Sequence, residues 1–229
     1  MTSQDELKRR AASAAVDHVK SGMVLGLGSG STATFALQRI AERIRAGDLD
    51  RIVGIPSSIR TEALAKELGI ALTTFDQHPA IDVTIDGADE VDPELNLIKG
   101  GGGALLREKV LAQASRHNVI IVDETKLSPR LGTKWAVPIE VIPFARMTEE
   151  NFLTALGATV TVRTTADGNP YRTDQHNIIL DANFGPINDP RDIATRLNER
   201  AGIVEHGLFL GLATEVIVAA QEGIRHLKR

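Results

Sequence analysis

The sequence predicts an α/β protein: a Rossmann-like parallel sheet with helices on both faces, plus an inserted ferredoxin-like α+β domain. Three observations predict it. Apolar strand-like runs alternate with amphipathic helical segments through the first 126 residues, as parallel strands joined by crossover helices require. Beyond Lys126 the order becomes strand–helix–strand–strand–helix–strand, the split arrangement of a ferredoxin-like unit. A last apolar run, ATEVIVAA, together with the tail, then returns to the first sheet.

Ser3 and Glu6 have capping-box spacing, and Leu7, Ala11, Ala15, Val16 and Val19 follow at helical intervals until Gly22. MVLGL reads as a buried strand, and a second helix runs from about Thr32 to Arg45. RIVGI is a strand, PSS a turn, IRTEALAKEL a helix stopped by Gly69, and ALTTF another strand. IDVTIDGAD is a strand running into a loop, and LNLIKGGGG is a short strand with a glycine loop. ALLREKVLAQAS is a helix that should partly bury Leu105, Leu106, Val110 and Leu111, and NVIIVD is the next strand. In the second half PIEVIPF, ATVTVR, NIILDANF and IVEHGLFL are strands, while TEENFLTALG and PRDIATRLNER are helices. The expected division is a catalytic α/β domain of residues 1–131 and 208–229, with residues 132–207 inserted.

Composition narrows the function. The 229 residues carry a net charge of −4 and offer no basic field for nucleic acid. The absence of cysteine excludes disulfides, thiol catalysis and zinc–cysteine sites. No apolar run approaches the roughly 18 residues of a membrane span. The charged start MTSQDELKRR does not read as a signal peptide, so cytoplasm is the expected compartment. His18, His78, His117, His176, His206 and His226 are scattered, and none has the spacing of a metal site.

Four loops follow strands of the first half, and in an open parallel sheet ligands bind outside the carboxyl ends of the strands. In GLGSGSTAT, Gly28 and Gly30 permit tight turns, while Ser29, Ser31 and Thr32 offer hydroxyl and N–H groups at a helix start, a natural phosphate cradle. The third glycine of a dinucleotide fingerprint is Ala33, and no lysine follows the second glycine as in an ATP-type loop. DVTIDGADEVD carries Asp82, Asp86, Asp89, Glu90 and Asp92. It suits a divalent metal, a carboxylate set balanced by lysine, or a solvated acidic turn. In IKGGGGALLREK, four consecutive glycines are costly in conformational entropy and suggest close approach to a ligand. Glu108, among apolar residues, would be a better base near neutral pH if buried; beside Arg107 and Lys109 it also reads as an exposed helical glutamate. In IVDETKL, Lys126 sits where it could neutralise a phosphate or simply be solvated, and the same choice holds for Lys8.

GSGST, DGADEVD, KGGGGALLREK and the later LG-x-x-x-x-x-P-I-E-V segment together resemble ribose-5-phosphate isomerase, type A, in order and spacing over nearly the whole chain. Ser29 stands where Thr is common and Gly103 where Ala is usual. The resemblance implies reversible aldose–ketose isomerisation of ribose 5-phosphate and ribulose 5-phosphate through an enediolate, in the non-oxidative branch of the pentose phosphate pathway. It implies no cofactor and no metal. Glu108 would accept the proton, with Asp86, Asp89 and Lys99 completing the catalytic set. Ser29, Gly30, Ser31, Thr32, Asp86, Gly87, Ala88, Asp89, Lys99, Gly100, Gly101, Gly102 and Lys126 would contact the pentose phosphate, and Lys8 would help bind its phosphate. A homodimer is expected, or a homotetramer through the inserted domain, with no nucleic-acid or membrane partner. All the loops should line one crevice. Two rivals share the architecture: a sugar-phosphate sensing module and a coenzyme A transferase with a glutamate nucleophile. The acidic chain, with a single helix before its first strand, argues against the first.

Overall fold

The computed structural model describes residues 3–229. Helix α1 (Gln4–Val16) starts at Ser3, whose hydroxyl accepts the Glu6 N–H at 3.2 Å. Strand β1 (Val24–Leu27), α2 (Ser31–Arg45), β2 (Val53–Pro56) and α3 (Ile59–Leu68) follow. Ser58 caps α3, and Gly69 ends it in the left-handed conformation. Next come β3 (Ile81–Asp86), β4 (Glu90–Val91), β5 (Leu97–Ile98), α4 (Leu105–Ala114) and β6 (Ser115–Asp123). The second half runs β7 (Val137–Val141), α5 (Arg146–Ala155), β8 (Thr159–Val162), β9 (Ile178–Asn183), α6 (Pro190–Asn198), β10 (Ile203–His206), β11 (Leu208–Phe209), β12 (Glu215–Ala220) and β13 (Gly223–Lys228).

The chain forms two compact units. The first holds the described residues through Ala88, Arg107–Lys126 and Gly211–Arg229. Its six-stranded sheet has the order β13-β12-β6-β3-β1-β2. Five strands run parallel and β13 is antiparallel to β12. The sheet is therefore mixed rather than wholly parallel. A parallel neighbour needs a crossover of a dozen or more residues, and only Gln221 and Glu222 separate these two strands. Ala11 and Ala15 of α1 and Leu37 and Ile40 of α2 pack with Ile85 and Ile121 on one face. Leu111 of α4 packs with Ile55 and Ile81 in a separate cluster. ALTTF is not a strand. Leu72 makes one parallel bridge to Gly54, and the chain then turns at Thr74, whose carbonyl accepts the Gln77 and His78 N–H groups.

The second unit holds Asp89–Leu106 and Leu127–Leu210. Its larger sheet, β10-β7-β9-β8, is antiparallel and carries α5 and α6, in the expected strand–helix order. Ile139, Leu153, Leu180 and Leu197 are fully buried in its core. A smaller sheet, β11-β5-β4, gathers residues that the 132–207 boundary leaves out. IVEHGLFL is two strands rather than one. At Gly207 the chain changes partners: its N–H donates to the Pro138 carbonyl at 2.7 Å, and its carbonyl accepts the Lys99 N–H at 2.9 Å.

One buried carboxylate makes the stability of this unit pH-dependent. Glu140 on β7 accepts hydrogen bonds from Thr173 Oγ1 (2.8 Å) and Asn177 Nδ2 (2.9 Å) on a single oxygen. Burial pushes its pKa above the ordinary value, against the pull of those two donors. A raised folded-state pKa means that its contribution to stability is fully present below the unfolded value, about 4.3. That contribution is lost as pH rises through the folded value. Glu140→Gln does not titrate, so its stability relative to wild type should improve from pH 4 towards neutrality, measured by urea unfolding. A constant difference across that range would contradict this.

Candidate active site

In the first unit β1 and β3 are adjacent and parallel, with Leu27 opposite Ile85, so the loops that follow them leave the same edge of the sheet. They are joined there. Asp86 Oδ1 accepts the Ser29 N–H at 3.1 Å and the Gly87 N–H at 2.8 Å. A Cβ on residue 28 would lie 2.4 Å from that carboxylate oxygen, so the close approach requires glycine. Helix α2 starts at Ser31, with Gly30 as N-cap at φ +92° and no side-chain cap. Its first N–H groups, with the Ser31 and Thr32 hydroxyls, form the start of a helix whose dipole favours an anion. The Ser29 hydroxyl has a different task. It lies 2.8 Å from Ser57 Oγ, 2.8 Å from Ser58 Oγ and 2.9 Å from Thr61 Oγ1. This network ties the loop to the start of α3. Ser57, Ser58 and Thr61 were not singled out from the sequence; the hydroxyl-rich PSS turn after β2 was the available signal.

Glu108 is only 6% exposed, although it stands between Arg107 and Lys109. The buried stripe of α4 is Leu105, Glu108, Lys109, Leu111 and Ala112, an i, i+3, i+4, i+6, i+7 set. Val110, expected to be partly buried, is 42% exposed because it falls off that stripe. Lys126 ends a 3-10 turn, Glu124–Lys126, after β6, where Asp123 Oδ1 accepts the Thr125 N–H at 2.9 Å. Lys8, half-buried on α1, lies 3.6 Å from Asp5. Arg10 donates to the carbonyl of Ala220, the last residue of β12, at 3.3 Å. This puts the first half of α1 by the carboxyl ends of the strands, the edge that bears the other loops.

In the second unit Lys99 follows β5, is buried, and has its ammonium 5.6 Å from the Phe209 ring centre, within cation–π range. Asp89 Oδ2 accepts the Gly101 N–H at 2.7 Å. Gly103 has φ +80°, and a Cβ there would lie 2.4 Å from the Tyr171 hydroxyl. That hydroxyl donates to the Gly102 carbonyl at 3.3 Å, so a tyrosine occupies the space an alanine would need. The other carboxylates of the acidic loop face the backbone. Glu90 accepts four N–H groups, from Gly132, Thr133, Lys134 and Trp135, at 2.9–3.2 Å. Asp92 accepts those of Glu94 and Asn96.

Arg163 carried no signal in the sequence, where it merely ends a strand. Its guanidinium forks onto Asp181, with Nε 2.9 Å from Oδ2, and Nη1 donates to the carbonyls of Gly100 (2.7 Å) and Gly101 (3.0 Å). Lysine can hold one of these acceptors but not the fork. Arg163→Lys should therefore loosen the glycine loop. Small misplacements near reacting atoms cost up to about a hundredfold. A loss of roughly ten- to a hundredfold in kcat/KM is expected, with the melting temperature little changed. Wild-type kinetics in this variant would show that the grip does not matter.

The fold and these loops define a class. This is an α/β protein whose strand-end loops offer hydroxyl, amide, carboxylate and lysine groups suited to a phosphorylated polyol. Comparison with known proteins narrows the class. The family model of ribose 5-phosphate isomerase A (phosphoriboisomerase A) matches residues 53–223, and the chain belongs to that family. A curated relative from Desulfatibacillum aliphaticivorans, "Ribose-5-phosphate isomerase A", is 61% identical over 228 residues, covering 100% of this chain and 99% of its own. The solved ribose 5-phosphate isomerase from Plasmodium falciparum is 42% identical with a TM-score of 0.95, covering 98% of this chain and 99% of its own. A D-ribose-5-phosphate isomerase solved in complex with phospho-erythronic acid is 41% identical with a TM-score of 0.97, covering 99% and 100%. The family leaves no place for the sensing-module and acyl-transfer readings.

Proposed function

We propose that Glu108 is the proton acceptor in the interconversion of ribose 5-phosphate and ribulose 5-phosphate. The chain is an aldose–ketose isomerase of this reaction, which is reversible and belongs to the pentose phosphate pathway. The burial of the Glu108 carboxylate on a helix that directly follows the glycine loop carries the reading. Isomerisation requires removal of the proton from C2 of the aldose. The electrons move onto the C1 oxygen as an enediolate forms, and the same carboxyl then returns a proton to C1. Lys99 and the N–H groups of Gly100 and Gly102 stabilise the oxyanion, while Gly101, whose N–H is held by Asp89, lines the site. Asp86 opens the sugar ring and carries the hydroxyl proton from O2 to O1, while Asp89 holds the glycine loop. Gly30, Ser31, Thr32, Lys126 and Lys8 take the phosphate, Ser29 shapes that loop through its bonds to Asp86, Ser57, Ser58 and Thr61, and Gly87 and Ala88 contact the sugar. The phospho-erythronic acid bound by the relative supports this reading: a carboxylate beside a hydroxylated carbon displays two oxygens much as an enediolate does.

Proton transfer by a carboxylate needs no metal, whereas a hydride shift between C2 and C1 needs a Lewis acid. Activity should survive exhaustive chelation in full. Loss on chelation, with recovery on adding a divalent ion, would make Asp86 and Asp89 ligands and overturn the mechanism. Among the described residues no helix is long and apolar enough to cross a membrane. A cytoplasmic homodimer, or a homotetramer assembled through residues 132–207, completes the reading.

A further inference from the structure

The end of α1, the start of β12 and the edge strand β13 bring together three side chains that the isomerisation does not use. His18 lies two residues past α1, Glu215 opens β12, and His226 on β13 sits opposite Ile217. Glu215 is bracketed by the two imidazoles, with Oε1 2.6 Å from His226 Nδ1 and Oε2 3.4 Å from His18 Nε2. One donor atom from each residue lies within 4.8 Å of the others. The Glu215 side chain is 8% exposed, while the imidazoles are 36% and 44% exposed, so an ion can reach them from solvent.

We propose that His18, Glu215 and His226 form a binding site for a divalent transition-metal ion, with zinc as the preferred ion and water as the fourth ligand. Zinc bonds of about 2.0–2.2 Å in tetrahedral geometry separate donor atoms by about 3.3 Å. The two imidazoles approach different oxygens of the carboxylate, at 3.4 and 2.6 Å, and one donor atom from each residue lies within 4.8 Å of the others, so modest rotations of the two exposed rings bring the set to that separation. Two imidazoles and one carboxylate select zinc, nickel or copper over magnesium or calcium. Lys228 Nζ lies 3.6 Å from Glu215 Oε2, but its side chain is 63% exposed and free to swing away. The ligands come from three elements and 208 positions apart at the extremes, which is why their sequence spacing gave no metal signature.

The site lies apart from the strand-end loops. Arg10 of α1 meets the last residue of β12 while His18 meets the first. Eight helical residues advance about 12 Å. The ion would pin the end of α1 to the β12–β13 hairpin and stabilise the fold by mass action.

Protein stripped with EDTA and then dialysed should be titrated with zinc chloride by calorimetry, with thermal melts at each zinc concentration. One ion per chain and a rise in melting temperature are expected, with magnesium at least tenfold weaker. His18→Ala and His226→Gln should each weaken zinc binding at least tenfold, and Lys228→Ala should tighten it. Gln at 226 keeps a donor for Glu215, so that variant stays folded, and both histidine variants should isomerise at the wild-type rate. No zinc binding by the wild type would overturn the proposal, as would equal binding by both histidine variants or equal affinity for magnesium.

Discussion

Glu108→Gln should lower kcat by about 100- to 10,000-fold, the range a general base contributes, while KM changes far less. The substitution keeps the size and the hydrogen-bonding reach of the side chain but removes the group proposed to take the C2 proton. Gln and Glu have nearly equal helix propensity, and the stripe around residue 108 includes Leu105 and Ala112, which accept a neutral amide. The variant should therefore stay folded, so that the loss is chemical. Steady-state kinetics with a thermal melt separate the two outcomes. Turnover near the wild-type rate would move the base elsewhere, and Asp86 is the next carboxylate to replace.

Free ribose should be a far poorer substrate than ribose 5-phosphate. Hydrogen bonds to charged groups contribute about 1.5–3 kcal/mol each. Two such bonds, from the Ser31–Thr32 helix start and Lys126 proposed to hold the phosphate, would amount to about 3–6 kcal/mol. At roughly 1.4 kcal/mol per decade, kcat/KM should fall by about 100- to 10,000-fold. Part of that loss should appear in kcat, because binding energy from the remote phosphate positions the reacting carbons. Comparable kcat/KM on the two sugars would remove the phosphate role proposed for Gly30–Thr32, Lys126 and Lys8.

Local signals in the sequence were enough for much of this architecture. The residues of α3 were readable to both ends because PSS caps it and Gly69 stops it. The βαββαβ order of the larger sheet in the second unit, with its two helices, followed from hydrophobic periodicity. What escaped were features set by partners far along the chain. IVEHGLFL has the composition of one strand, but Gly207 hands it from β7 to β5. Apolar character pointed to Val110 as a buried position of α4, whereas the stripe that is buried includes two charged residues, Glu108 and Lys109. A hydropathy pattern cannot register such a stripe. Arg163 and the His18–Glu215–His226 group depend on approach between distant segments and leave no local trace.

The central claim is that Glu108 carries the proton between the two carbons, and isotope exchange tests it most directly. Ribose 5-phosphate deuterated at C2 should be incubated with wild-type protein and with Glu108→Gln, and the label followed into solvent and into ribulose 5-phosphate. The account predicts that wild type releases deuterium to water during turnover, because the protonated carboxyl exchanges before returning its proton, and that the variant releases essentially none. Quantitative transfer of the label to C1 without exchange by the wild type, or release by the variant at the wild-type rate, would contradict it.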